Sequence, residues 1–244
     1  MVQIVRFNWP WYGAAVGVML LAYGTLPGIE LTPLGRRVLA ALTAPAMMWA
    51  VASLLVSHWV YDRSPLRQWD WIAARVTPPP AKAVNIHAGF DETSGRLRRV
   101  FPKMRMAVWD IYRAESTTEG SIRRARQAPA RWETAAVDFT KLPEADEVLD
   151  AAFLIFAAHE IRSASARDRF FGEVFRILKP GGTVLLVEHL RDWKNFLAYG
   201  PGFLHFLPRN EWLRLARTTK FLVADEFQIT PFVDVLRLTK PLAS

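Results

Sequence analysis

The apolar residues of this chain form two long uncharged stretches near the N-terminus and short, separated runs in the rest of the sequence. Residues 7–29 and 38–61 contain no Asp, Glu, Lys or Arg, and each stretch exceeds the ~20 apolar residues that cross a bilayer core. Trp and Tyr residues begin the first stretch and end the second, as is typical of the membrane interface. A short polar turn over 27–37 separates them. The pattern predicts a two-helix transmembrane hairpin over residues 1–62, with both ends on one side.

The segment that follows, residues 63–81, has its own pattern. A helix starting at Pro65 would carry four large apolar side chains on one face, Leu66, Trp69, Ile72 and Val76. Such a helix directly after a membrane span is typical of the bilayer interface. Three consecutive prolines, 78–80, would end it and act as a semirigid spacer. We interpret 63–81 as an interfacial helix and linker.

From residue 82 to 244 short apolar runs alternate with amphipathic segments, which favours a parallel sheet with helical crossovers. The predicted strands are 83–88, 106–111, 134–137, 151–157 and 183–188, and the predicted helices are 92–101, 118–127 and 166–178. A helix over 210–219 and two strands, 222–229 and 232–238, complete the chain. Only two residues separate the last strands, so they must pair antiparallel. The predicted fold is α/β and Rossmann-like.

Composition and charge narrow the chemistry. The chain has no cysteine, which excludes disulfides, thiolate metal sites and cysteine nucleophiles, and we predict no metal site. The net charge is +8, and the basic residues concentrate between Arg96 and Arg131. On a tethered domain this surface would face anionic lipid headgroups, and a solvated basic face is the alternative. No nucleic-acid motif accompanies the charge, so no nucleic acid is predicted as a partner.

Four segments carry a resemblance to a known family. Residues 178–188 (LKPGGTVLLVE), 150–160 (DAAFLIFAAHE), 138–143 (DFTKLP) and 109–112 (WDIY) resemble the class I S-adenosylmethionine-dependent methyltransferases over about 82–239. Residues 85–94 and 121–124 are similar to a bacterial membrane-anchored subset of methyltransferase-like proteins. The resemblance implies S-adenosylmethionine as cofactor and a location in the bacterial inner membrane, with a cytoplasmic domain that the positive-inside bias also favours.

The resemblance also implies a cofactor site. Asp110, at the end of the second strand, would accept the ribose hydroxyls, and Asp138 with Phe139 would contact the adenine. Ala157 would lie beneath the methionine arm. The implied cofactor-binding set is Asn85, Ala88, Gly89, Asp91, Asp110, Asp138, Phe139 and Ala157.

The first motif of the family departs from its usual form, an acid followed by a glycine-rich turn. Only Gly89 of three glycines is present, and Asn85 replaces the acid. Two interpretations stay open. Either Asp91 and Glu92 supply the lost acid and the cofactor still binds, or the fold is retained without catalysis. Asp91 also has a purely structural interpretation as a helix N-cap.

Two hypotheses for function follow. In the first, the chain methylates a membrane-embedded small molecule such as a lipid, quinone or isoprenoid, with His159, Glu160 and His189 as catalytic candidates at the strand ends. In the second, it is a non-catalytic accessory subunit that stabilises a larger integral-membrane complex, for example an energy-transducing one, and other membrane subunits are its partners. The glycine motif does not decide between them, because function resides in the site rather than the fold.

Overall fold

The computed structural model describes residues 2–22, 32–113, 120–127 and 132–242. The helices are α1 (Val2–Ala22), α2 (Pro33–His58), α3 (Asp70–Arg75), α4 (Ser94–Val100), α5 (Gly120–Ala125), α6 (Ala164–Ile177), α7 (Trp193–Tyr199) and α8 (Arg209–Thr218). The strands are β1 (Lys82–His87), β2 (Arg105–Asp110), β3 (Ala135–Ala136), β4 (Leu149–Ile155), β5 (Leu178–Glu188), β6 (Leu222–Thr230) and β7 (Val233–Thr239).

Among the described residues one helix, Pro33–Arg63, is long and apolar enough to cross a membrane. It consists of α2 and the π-helical turn Trp59–Arg63 that continues it. The apolar part of α1, Tyr12–Leu21, is shorter than a span. The rest of the predicted first span and residues 27–31 of the predicted turn lie outside the described residues, whereas residues 33–37 of that turn belong to α2. The structure therefore supports one candidate span and does not support the predicted two-span hairpin.

The segment between α2 and the sheet differs from the predicted interfacial helix. It forms a short 3-10 turn, Pro65–Arg67, and then the separate helix α3. Trp69 interrupts the helical path because its φ is +65°, in the left-handed region. The apolar face predicted to contact lipid is instead buried against the sheet, where Ile72 is fully buried. That part of the prediction is wrong.

The predicted sheet is confirmed. Its seven strands lie in the order β3-β2-β1-β4-β5-β7-β6. β1 to β5 run parallel, whereas β7 pairs antiparallel with both β5 and β6. Apolar clusters cover both faces of the sheet, and β4 and the second half of β5, residues 184–188, are almost wholly buried. Burial on both faces explains their continuous apolar sequences.

The sequence interpretation misplaced the start of β5 and missed α7. β5 begins at Leu178, directly after α6, and includes the Pro-Gly-Gly segment that we expected to be a turn. The strand is irregular there, since the register shifts between Leu149 and Ala151 on its partner β4. α7 is a single short helix, and its seven residues give too little periodicity to predict.

Gly182 provides a stability test of this irregular strand start. A Cβ there would lie 2.8 Å from the backbone oxygen of Lys179, which cannot move aside as a flexible side chain can. Gly182→Ala is expected to lower the free energy of unfolding by about 1–3 kcal/mol. The matched control is Gly172→Ala in α6, where nothing lies within 4 Å, and it is expected to stabilise by about 0.5–1 kcal/mol. Chemical denaturation of the full chain in mild detergent would measure both; equal effects would contradict the steric argument.

Candidate functional site

A cavity of about 1230 Å³ lies between the α1–α2 helices and the carboxyl ends of the parallel strands. Apolar side chains of the two helices form one wall, among them Val18, Leu39, Leu42, Ala46 and Ala50. The opposite end is polar and is lined by His87, His159, Glu160, His189 and His205. Ligands of open α/β sheets bind at this edge, so the cavity is the candidate site.

Glu188, the last residue of β5, organises the polar end. Its side chain is 1% exposed. His159 donates from Nδ1 to Glu188 Oε2 at 2.6 Å, and the backbone N–H of Ala158 donates to Oε1 at 3.0 Å. The buried carboxylate thus fixes both the ring of His159 and the backbone that leaves β4.

The hydrogen-bonded chain continues from His159 across the cavity. Glu160 Oε1 lies 3.3 Å from His159 Nε2 and 3.1 Å from His205 Nε2. His205 ends the 3-10 turn Gly200–His205, which follows α7. The exit of β4 and the segment before α8 therefore meet at one carboxylate, although 45 residues separate Glu160 from His205.

The two carboxylates determine the charge of His159. Burial by itself lowers the pKa of His159, but the charges and hydrogen bonds of Glu188 and Glu160 outweigh it and raise the pKa to about 10. Burial raises the pKa of Glu160, but hydrogen bonds from His159 and His205 lower it to about 2. At neutral pH, His159 is a cation and Glu160 an anion. Of the catalytic candidates, His159 is therefore suited to orient or donate a proton and not to accept one.

His189 is held neutral. Its Nδ1 donates to the carbonyl oxygen of Phe232 at 2.7 Å, so Nε2 accepts from the hydroxyl of Tyr61, also at 2.7 Å. Burial lowers the pKa of His189 to about 4. The ring stacks between Phe156 and Phe206, with centroids 5.0 and 4.9 Å away. Both ring nitrogens of His189 are hydrogen-bonded, so His189 holds the hydroxyl of Tyr61 in position.

Two residues that line the cavity were not predicted from the sequence to belong to the site. Tyr61, at the end of α2, was assigned to the membrane interface, and no local signal connects it to His189, 128 residues away. His87, at the end of β1, is buried, and neither ring nitrogen has a hydrogen-bond partner within the described residues. Burial lowers the pKa of His87 despite the opposing charge of Asp110. It is a neutral imidazole that lines the cavity and can accept a proton.

The altered glycine motif forms an internal network. The amide of Asn85 donates to the hydroxyls of Thr93 and Ser94 at 2.8 Å each. Asp91 Oδ1 accepts from the backbone N–H groups of Thr93 and Ser94 at 3.0 and 2.9 Å, at the start of α4. The N-cap residue of α4 is Thr93, so Asp91 supports the helix start from two residues further back and is not itself the N-cap. Asn85 and Asp91 hold the turn and the helix start together, with one buried oxygen each, Asn85 Oδ1 and Asp91 Oδ2, left without a partner among the described residues.

Gly89 is required at the centre of this turn. Its φ is +97°, and a Cβ there would lie 2.8 Å from Ile122 of α5. Its N–H donates to Asp110 Oδ1 at 2.8 Å, and the N–H of Tyr112 donates to the same oxygen at 2.9 Å. The other oxygen of Asp110 forms an ion pair with Arg126. The carboxylate predicted to hold the ribose is in place, and an arginine occupies its free oxygen.

The predicted adenine contacts have a similar arrangement. Asp138 is exposed and pairs with Arg113, whose guanidinium also lies 4.2 Å from the ring centroid of the buried Phe139. Ala157 is buried at the exit of β4, while Ala88 lines the cavity. The donor set fits S-adenosylmethionine in kind, with a buried acid at the end of β2 and an acid–aromatic pair nearby. Arg126 forms an ion pair with Asp110, and Arg113 forms one with Asp138. Cofactor binding at these two acids therefore requires the ion pairs to open.

Comparison with known proteins agrees with this geometry. Residues 93–186 match the profile of a methyltransferase domain family. The fold is that of the Rossmann-like methyltransferases. A search of curated proteins gave no match.

Solved structures share the fold at low sequence identity. A SAM-dependent methyltransferase from Aquifex aeolicus is 13% identical, with 80% of this chain and 97% of that chain covered and a TM-score of 0.55. A Burkholderia thailandensis 1,6-didemethyltoxoflavin N1-methyltransferase with bound S-adenosylhomocysteine is 15% identical (88% and 93% covered, TM-score 0.51). The [4+2]-cyclase SpnF is 19% identical (72% and 81% covered, TM-score 0.53). These structures show the shared fold, and the match to the methyltransferase-domain profile supports S-adenosylmethionine as the cofactor. The cyclase illustrates that the fold alone does not define the reaction.

The charge of His159 can be tested directly. Glu188→Gln removes one of the two carboxylates that raise its pKa, so the pKa of His159 is expected to fall while that of His189 stays low. Titration of ¹⁵N-histidine chemical shifts in the full chain would measure both. Because the pKa of His159 is raised in the folded chain, its protonation increases the free energy of unfolding. This contribution is fully present below the unfolded-state pKa of about 6.5 and is lost as the pH rises through 10. An unchanged His159 titration in Glu188→Gln would contradict this assignment.

Proposed function

We propose that this chain is a membrane-associated, S-adenosylmethionine-dependent methyltransferase whose acceptor is an amphipathic small molecule such as a lipid, quinone or isoprenoid. The observation that carries the proposal is the cavity, which is apolar along α1 and α2 and polar at the strand ends. An acceptor with an apolar tail would place the tail between the helices and its polar group near His87 and Glu160. A uniformly polar substrate would leave the apolar wall without a partner.

Exposed apolar surface supports association with a bilayer. On one side of α2 the large side chains are exposed: Leu34, Val38, Met48, Leu55 and Trp59. A second exposed group lies on α7 and the turn after it, Trp193, Leu197 and Leu204. Surfaces of this kind are unfavourable in water and typical of membrane or protein contact. We propose that both groups contact lipid, in the inner membrane of a bacterium, with the sheet domain on the cytoplasmic side.

The proposed contact with anionic headgroups concerns part of the basic surface only. Arg105 begins β2, and the site lies at the other end of that strand, so Arg105 is on the edge of the sheet away from α2. Arg113 and Arg126 are engaged with Asp138 and Asp110. Arg123 is exposed on α5, which packs against α1. We propose Arg123 as the residue of this group that meets headgroups.

Each polar side chain would have a defined task in methyl transfer. The bound cofactor supplies an electrophilic methyl group. Asp110 would hold its ribose, with Asp138 and Phe139 at the adenine. His87 is neutral and has no hydrogen-bond partner within the described residues. It would take up the proton that the methyl acceptor loses, where that molecule carries one. The His159 cation and the Tyr61 hydroxyl would orient the acceptor's polar group.

The accessory-subunit hypothesis has less support. It rests on the altered glycine motif, and that motif is used to build a well-ordered turn around Gly89. The comparisons do not favour it. A cavity that joins an apolar wall to titratable side chains is a feature that catalysis uses and scaffolding does not need.

Cofactor binding can be tested at the Asp110–Arg126 pair. Arg126→Gln removes the competitor for Asp110 and is expected to tighten S-adenosylmethionine binding several-fold, whereas Asp110→Asn is expected to weaken it by tenfold or more. Calorimetry on the full chain in mild detergent measures both. Arg99→Gln is the matched control, because Arg99 is an exposed arginine of α4. No binding by any variant at millimolar ligand would overturn the proposed function.

Acceptor binding can be tested separately at the apolar wall. Ala50 lines the cavity and its neighbour Val51 is exposed outside it, so Ala50→Trp fills the site and Val51→Trp does not. Transfer of labelled methyl from S-adenosylmethionine into a membrane lipid extract is expected to fall at least tenfold in Ala50→Trp, because a misplaced acceptor loses alignment. Cofactor affinity is expected to stay within twofold in both. Equal losses in the two variants would contradict acceptor binding between the helices.

A further inference from the structure

Three side chains at the polar end of the cavity form a compact set of metal-ligand atoms. His159, Glu160 and His205 each offer one nitrogen or oxygen, and these atoms all lie within 4.8 Å of one another. His159 and Glu160 are buried, and His205 is half-buried. All three also line the cavity. Two imidazoles and one carboxylate are a common ligand set of catalytic zinc and non-haem iron.

The surroundings orient each ligand atom. Glu188 accepts from Nδ1 of His159, which leaves Nε2 directed toward Glu160. A carboxylate on the far nitrogen of a histidine is the usual outer partner of a metal ligand. Nε2 is also the atom that His205 presents to Glu160.

One guanidinium holds the two ligand-bearing segments together. Arg162 donates from the same nitrogen to the carbonyl oxygens of His159, at 3.0 Å, and His205, at 2.6 Å. The backbone positions of both histidines are therefore fixed without use of their rings. Glu160 Oε2 is buried and has no hydrogen-bond partner within the described residues, so it remains available for a ligand.

We propose that His159, Glu160 and His205 bind one divalent transition-metal ion, zinc or iron in chemical class, with its open positions facing the cavity. Metal binding requires Nε2 of His159 to carry no proton, so the ion and a proton exclude each other at that nitrogen. An oxygen of an acceptor in the cavity would reach the open positions. This differs from the absence of a metal site predicted from the sequence, where the 45-residue separation of Glu160 and His205 conceals the cluster.

The test uses the full chain in mild detergent, stripped with a chelator and titrated with Zn²⁺ by calorimetry, and with Co²⁺ by visible absorption. One ion per chain is expected. His205→Ala and Glu160→Gln are each expected to weaken Zn²⁺ binding at least 100-fold, and Glu188→Gln to weaken it by about 10–100-fold as an outer partner. His58→Ala is the matched control, because His58 pairs with Asp62 outside the cluster. Its Zn²⁺ affinity is expected to equal that of the parent.

Uptake of less than a tenth of an ion per chain, or an equal loss in His58→Ala and His205→Ala, would overturn the proposal. If circular dichroism shows that His205→Ala is unfolded, the isosteric Glu160→Gln decides: parental affinity in that variant overturns the site. The measurement includes neither S-adenosylmethionine nor acceptor. A failure of the metal site is therefore distinguishable from a failure of the proposed methyl transfer.

Discussion

The functional edge of this protein depends on one buried carboxylate. Glu188 is 1% exposed, and an unpaired charge at that depth costs several kcal/mol. Its partners are therefore obligatory, and they are the backbone after β4 and the ring of His159. His159 in turn sets the position of Glu160, and Glu160 meets His205 from a distant segment. A single desolvated group thus determines how the exit of β4, the end of β5 and the turn before α8 assemble into one wall of the cavity.

The other wall comes from the N-terminal helices, and it is joined to the sheet domain by specific contacts. Trp49 of α2 packs edge-to-face on Phe196, with ring centroids 5.4 Å apart. Its indole also lies against Gly200, where a Cβ would be 2.8 Å away and φ is +55°. Tyr61 then reaches His189. From Trp49 to Tyr61 the helix covers about 18 Å at 1.5 Å per residue. A substantial part of the candidate span therefore lies beside the sheet domain, so the helix is a structural component of the site.

The sequence predicted what depends on local pattern. Apolar runs located the strands, and the two-residue connection required the antiparallel β6–β7 pair, both of which the structure confirms. What failed depends on contacts between distant residues. The apolar face of α3 could pack on lipid or on the sheet, and periodicity is the same for either. The Tyr61–His189, Glu160–His205 and Asp110–Arg126 pairs join positions 128, 45 and 16 residues apart, and no spacing rule connects them. For Asp91 the sequence left two roles open, a cofactor-binding acid and a helix N-cap, and only the structure shows that its Oδ1 is hydrogen-bonded to Thr93 and Ser94 at the start of α4.

The two halves of the site differ in whether their polar side chains are already engaged with other side chains. On the side of the proposed acceptor the cavity is open, and His87 lines it without a hydrogen-bond partner in the described part of the chain. On the cofactor side both acids are paired with arginines, Asp110 with Arg126 and Asp138 with Arg113. An ion pair shields an acid from solvent but has to open before a ligand can use it, so cofactor affinity contains the free energy of breaking these pairs. The substituted glycine turn has the same effect, because its polar groups are used to hold Gly89 and α4 in place. We therefore expect the altered motif to lower cofactor affinity by competition within the chain, while the position of Asp110 at the end of β2 is kept.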